Sequence, residues 1–134
     1  MAGIKRETVQ MKTKITAQEI GIKLREICAQ LKAQVENIDH FNLARESGFN
    51  ILASGRTKFW GVPWAVEVFV QDKGSERVIE FSALGNNFGA AYAELLMGAK
   101  NAPNSSIKNG TAYKMSSSIE KRDAMYEALS SYKL

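Results

Sequence analysis

A chain of 134 residues, of which 45% are hydrophobic and 24% charged, has the length and composition of one globular domain with a single core. This balance excludes an intrinsically disordered chain, and the absence of any run of about 18 apolar residues excludes a membrane-spanning helix. The net charge of +4 keeps nucleic acid among the candidate partners.

The chain is poor in residues that carry metal or redox chemistry. Its one cysteine, Cys28, cannot form an internal disulfide, and its one histidine, His40, leaves too few ligands for zinc. No glycine spacing matches a nucleotide-binding fingerprint, and the N-terminus lacks the apolar region of a secretory signal. We therefore expect a cytoplasmic protein that has no metal site and no cofactor.

The first 36 residues predict a strand followed by a helix. Apolar and polar residues alternate over residues 5–15, which is the strand period. Thr16 and Glu19 then have the spacing of a capping box, which marks a helix start. A stripe at spacings of three and four predicts a helix over residues 17–36; its members are Ile20, Leu24, Ile27, Leu31 and Val35.

Three extended segments follow, at about residues 49–57, 64–72 and 77–84, and their close succession predicts an antiparallel meander. Gly74, in the connection between the second and third segments, supplies the residue that a hairpin loop needs for positive φ. The return of helical spacing at Phe88 predicts a second helix that runs to about Ala99.

The last third of the chain changes in composition. Residues 101–118 are rich in Asn, Ser, Gly and Lys, which predicts a polar loop or linker. A second capping-box pattern at Ser117–Glu120 predicts a helix over residues 119–134, docked on the domain or on a partner. Residues 1–100 would form one α+β domain, a two-layer sandwich in which an antiparallel sheet of about four strands carries helices on one face.

Both tryptophans lie in the run Phe59-Trp60-Gly61-Val62-Pro63-Trp64. Gly61 permits a tight turn and Pro63 fixes one backbone angle, so the aromatic residues are expected in a stiff bend. Trp64 begins an alternating valine face, which favours a core position, whereas Trp60 lies at the loop apex. Packing in the core and a contact surface both remain open as interpretations. The contact surface would consist of Phe59, Trp60, Trp64 and Tyr92.

The favoured hypothesis is a non-enzymatic binding module for a protein segment, for a second copy of the chain in a dimer, or for an apolar ligand. The first alternative is nucleic-acid binding, in which basic flanking residues contact phosphates while an exposed aromatic stacks on bases. The lysines and arginine of this alternative are Lys5, Arg6, Lys12, Lys14, Lys100, Lys108 and Lys114.

Carboxylate catalysis is the second alternative. Glu67 and Glu80 lie in neighbouring predicted strands, where a pair of carboxylates could perform acid and base catalysis. The competing interpretation is an ordinary set of cross-strand charges, in which the glutamates pair with Arg56 or Arg77. No catalytic residue is assigned from the sequence.

Overall fold

The computed structural model describes residues 4–37, 48–86 and 112–134. The strands are β1 (Lys5–Thr13), β2 (Gln34–Asn37), β3 (Gly48–Arg56), β4 (Pro63–Asp72) and β5 (Arg77–Gly85). The helices are α1 (Ala17–Gln30) and α2 (Met115–Leu129), and a short 3-10 helix (Ser130–Tyr132) follows α2. The sheet is antiparallel throughout, in the order β1-β5-β4-β3-β2. The predicted α+β class and meander are confirmed, with five strands in place of about four.

One face of the sheet and the two described helices enclose the main core. The predicted valine face of β4 packs here, because alternate residues of a strand point to the same side. The buried members of this core are Met11, Ile20, Leu24, Cys28, Ile51, Ala53, Trp64, Val66, Val68, Val70, Ile79, Phe81, Met125 and Leu129. Since α1 and α2 both contribute, the C-terminal helix is packed on the domain and completes its core.

The start of α1 is the predicted capping box. The Thr16 hydroxyl accepts a hydrogen bond from the Glu19 amide at 3.1 Å, and the Glu19 carboxylate accepts one from the Thr16 amide at 3.3 Å. These two bonds satisfy amides that would otherwise lack partners in the first turn. The helix therefore begins at Ala17, as the sequence predicts.

The predicted end of α1 at residue 36 is wrong, because the helix stops at Gln30. The Ala33 amide bonds the Cys28 carbonyl at 2.9 Å, and the Lys32 amide bonds the Ala29 carbonyl at 3.1 Å. Lys32 has a φ of +57°. This is a Schellman motif, in which glycine usually occupies the left-handed position. Lys32 occupies it here, so no glycine marks the end of the helix, and the residues after it form β2.

The start of α2 also differs from the prediction. The helix begins at Met115, four residues before residue 119, and its N-cap is Lys114. The predicted capping box is wrong because its capping residue, Ser117, lies inside the helix. The next residue, Ser118, is buried, and its hydroxyl accepts a hydrogen bond from the Ala65 amide at 3.1 Å. The Lys114 amide donates to the Pro63 carbonyl at 3.0 Å. Contacts with β4 therefore set where this helix begins.

Some predictions fall outside the described residues, namely the helix at 88–99 and the part of the polar loop at 101–111. Within the three described ranges, no helix has the length and apolar character needed to cross a bilayer. In the same ranges, no three His, Cys, Asp or Glu side chains are grouped as a metal ion would require.

Candidate functional site: the aromatic tip of the β3–β4 hairpin

The loop between β3 and β4 is held by hydrogen bonds within itself. The Thr57 amide donates to the Val62 carbonyl at 2.9 Å, and the Val62 amide donates to the Thr57 hydroxyl at 3.0 Å. Arg56 reaches across the loop, and its Nη1 donates to the Gly61 carbonyl at 2.8 Å. The loop is thus a fixed turn whose apex consists of Phe59 and Trp60. We call these two residues the aromatic tip.

The aromatic tip is exposed. Trp60 is 97% exposed and Phe59 is 74% exposed, although large apolar side chains are usually buried at least in part. Trp60 also has a φ of +70°. Left-handed backbone costs a residue with a side chain about 1–2 kcal/mol relative to the right-handed form. Trp60 therefore gains almost nothing from burial and has an unfavourable backbone, so folding stability does not explain a tryptophan at this position.

Trp64 does not belong to the exposed surface. Its side chain is fully buried in the main core, as the valine pattern predicts, and its ring lies against Gly55 on the neighbouring strand. A Cβ atom at position 55 would lie 3.1 Å from the indole. Its Nε1 atom is buried without an acceptor in the part of the chain that the structure describes. Trp64 thus anchors the base of the hairpin, and the predicted contact surface loses this member.

A concave surface lies beside the hairpin, with a volume of about 310 Å³. The described residues that line it are Lys32, Gln34, Ser54, Gly55, Arg56, Pro63 and Tyr113. We call it the basic depression, because two of these residues are cationic and none is acidic. The Schellman motif places Lys32 here, and the end of β3 places Arg56 here. This arrangement can hold an anion next to an aromatic surface.

Sequence reasoning did not assign the cations of this region to a site. The chain between Gly48 and Val66 contains Arg56 and Lys58 and no acidic residue, and that signal was available in the sequence. Lys32 comes near Arg56 only because α1 ends early and β2 pairs with β3. Its contribution could not be found without the fold.

The predicted phosphate-binding set does not form one surface. Lys5 and Lys114 lie at the hairpin end of the sheet, whereas Lys12 and Lys14 lie at or beyond the other end of β1. Lys5 and Lys12 are seven positions apart along β1, which corresponds to about 23 Å. Arg6 is engaged elsewhere, since its Nε donates to the buried Glu67 carboxylate at 2.8 Å.

Glu67 and Glu80 lie on the sheet face opposite α1 and α2, as diagonal neighbours, because Glu67 pairs with Ser82 and Glu80 pairs with Phe69. Glu67 is fully buried, and its ion pair with Arg6 replaces the expected pairing with Arg56 or Arg77. A buried carboxylate requires such a partner. The arrangement gives Glu67 a structural role in this face of the sheet.

The other sequence candidates divide between buried and undescribed positions. Cys28 is buried in the core, and this burial raises the pKa of its thiol, which makes it a poor nucleophile at neutral pH. His40, Tyr92, Lys100 and Lys108 lie outside the described residues.

No protein-family model matches the sequence, and a search of curated proteins finds no match.

Proposed function

We propose that this protein is a non-enzymatic binding module whose contact element is the aromatic tip. The observation that carries the proposal is the placement of Trp60, which is 97% exposed on a backbone with a φ of +70°. Strained residues that do not serve folding are concentrated at functional sites. Tryptophan also contributes more than most residues to the binding energy of interfaces.

The surroundings of the tip favour some classes of partner over others. A protein segment, a second copy of the chain or a nucleic acid can cover two adjacent exposed rings. An apolar ligand has less support, because the neighbouring depression is lined by Lys32, Arg56, Gln34 and Ser54. A cytoplasmic location belongs to the same proposal, and the cysteine content supports it, since a single cysteine gives the fold no internal disulfide of the kind that oxidising compartments favour.

The proposal can be tested through the fluorescence of Trp60. The Trp64→Phe variant leaves Trp60 as the only tryptophan, so acrylamide quenching then reports on the tip alone. The probes are the protein itself over a wide concentration range, single-stranded and duplex oligonucleotides, an acidic peptide and anionic lipid vesicles. At least one of them should protect Trp60 from quenching, and the Phe59→Ala substitution should weaken that protection.

The Trp60→Phe variant is the matched control, because its remaining tryptophan is buried and its quenching should not respond to any probe. If Trp64→Phe does not fold, subtracting the Trp60→Phe signal from that of the wild type isolates Trp60. Unchanged quenching of Trp60 with every probe, including the protein at high concentration, would overturn the proposal.

A further inference from the structure

We infer that the partner of the aromatic tip is a single-stranded nucleic acid, whose bases stack on Trp60 and Phe59 while its phosphates contact Lys32, Arg56, Lys58 and Lys114. This inference rests on the proposed function and adds the chemistry of the partner. Its phosphate contacts differ from those predicted from the sequence, with Lys114 as the one residue in common.

The tip is suited to stacking. Phe59 and Trp60 are consecutive residues of a fixed turn, and both side chains are mostly open to solvent. Exposed aromatic rings bind unpaired bases of any sequence, because every base has a π face. The hydrogen bonds of Thr57 and Arg56 within the loop hold the turn before a partner arrives, which lowers the cost of ordering it.

The charges around the tip complement phosphates. Lys32, Arg56 and Lys58 are exposed, and the described residues lining the depression include no acid. Because the Lys114 amide donates to the Pro63 carbonyl, Lys114, the N-cap of α2, lies at the base of the same hairpin. Clustering of cations on one surface, rather than net charge, is the electrostatic signature of phosphate binding.

At the opposite end of the sheet, two of the cations have acidic partners. There Lys12 faces Glu76 at 3.8 Å, and Arg77 pairs with Asp72 at 3.1 Å. Acidic neighbours therefore offset much of the positive charge at that end. Among the described residues, the lining of the basic depression has no acidic member, so the hairpin end is the one suited to an anionic polymer.

Backbone strain singles out the same region independently. In the described ranges, the non-glycine residues with positive φ are Lys32 at +57° and Trp60 at +70°. One belongs to the basic depression and the other to the aromatic tip. Glycine would fit both positions with less strain. The chain thus has a cation and an aromatic ring at two positions where the backbone favours glycine, one in the lining of the basic depression and one in the adjacent aromatic tip.

A single strand fits this site better than the other anionic polymers. A duplex keeps its bases stacked inside, so the exposed rings would have no base to contact. Gln34 and Ser54 place hydrogen-bonding side chains in the depression, which bases and riboses can use and lipid chains cannot. An acidic peptide offers carboxylates, but it lacks a regular series of planar groups that could stack on the rings of Phe59 and Trp60.

The test is fluorescence anisotropy of labelled oligo(dT) and oligo(A) of about twelve nucleotides, with a duplex of matched length as comparison. We expect the single strands to bind more tightly than the duplex, although the duplex has the higher charge density. Four phosphate contacts predict a log–log salt slope of about −2.8, which is a loss of about 50-fold in affinity between about 50 and 200 mM salt.

Paired variants separate the two kinds of contact. Trp60→Ala should weaken single-strand binding by roughly 5- to 150-fold, with the salt slope unchanged. The double variant Lys32→Gly/Lys58→Gln should halve the slope, to about −1.4. Its charge-matched control, Lys14→Gln/Lys73→Gln at the other end of the sheet, should keep the wild-type slope.

The single variant Lys32→Gly distinguishes a role of Lys32 in binding from a role in folding. Since glycine favours the left-handed backbone, this variant should be at least as resistant to urea as the wild type while it binds the single strand more weakly. A loss of binding that came from unfolding would instead lower the urea midpoint.

The possible outcomes separate this inference from the function on which it rests. Absence of single-strand binding at low salt, a preference for the duplex, or equal slopes for the two double variants would each overturn it. If vesicles, an acidic peptide or self-association then protect Trp60 from quenching, the binding module stands with another partner. If nothing protects Trp60, both proposals fail.

Discussion

Replacement of Trp60 by asparagine should leave the fold as stable as before or slightly more stable. The exposed fraction of 97% leaves only 3% of the side chain to lose. For a side chain of about 250 Å², that is roughly 8 Å², or about 0.2 kcal/mol at ~25 cal/mol/Å². Asparagine tolerates left-handed backbone, so part of the strain of about 1–2 kcal/mol is relieved. The expected change is a stabilisation of up to about 1 kcal/mol.

Urea unfolding followed by circular dichroism measures this change, and the slope of free energy against urea should stay constant. Trp64→Ala is the contrasting variant, because removal of a buried aromatic costs about 3–5 kcal/mol. A loss of more than about 2 kcal/mol on Trp60→Asn would mean that the ring packs against the protein. That result would refute the assignment of Trp60 to a contact surface.

Three further predictions concern the packing of Gly55, the burial of Cys28 and the ionisation of Asp72. Gly55→Ala places a Cβ atom 3.1 Å from the Trp64 indole and should destabilise the fold by about 1–3 kcal/mol in urea unfolding; an unchanged midpoint would show that the ring moves aside freely. Cys28 is buried, and the burial raises the pKa of its thiol. A disulfide reagent should therefore modify Cys28 at least about 100-fold more slowly in buffer than in urea. Equal rates in the two solvents would contradict the burial of this thiol. Hydrogen bonds from the Gly74 amide and from Arg77 lower the pKa of the Asp72 carboxyl. The stability that this carboxylate provides is therefore complete above the ordinary Asp pKa of about 3.9 and is lost as pH falls through the lower folded value. An NMR titration should show this lower pKa, and wild type and Asp72→Asn should approach equal stability in acid; a constant difference between them would contradict the assignment.

Much of the sheet could be predicted because its signals are local. The meander strands were predicted within one residue of the observed ends at Gly48, Arg56, Pro63 and Gly85. Alternation along β4 also identified the face that packs under the helices. These features depend on the side-chain period of a strand and on turn residues, both of which are visible in a short window.

The errors occur where tertiary contacts override a local pattern. Helical spacing continued through Val35, but β2 is stabilised by pairing with β3, which no local window contains. Ser117 and Glu120 have the spacing of a capping box, yet contacts of Lys114 and Ser118 with β4 start the helix earlier, at Met115. The same distinction between local patterns and tertiary contacts explains why the sequence predicted only part of the candidate site. The aromatic tip is a local feature, whereas the basic depression needs Lys32 and Arg56 to be brought together by the sheet.

The position of both tryptophans within six residues has one structural explanation. Trp64 is buried against Gly55, one residue pair before the β3–β4 ladder ends, and it anchors the base of the hairpin. The loop between β3 and β4 is short and held by its own hydrogen bonds, so the backbone position of Trp60 depends on the two anchored strands. A contact residue held in place before binding loses less entropy when its partner arrives. The buried tryptophan thus positions the exposed one, and a change at Gly55 should alter recognition at a tip that it does not touch.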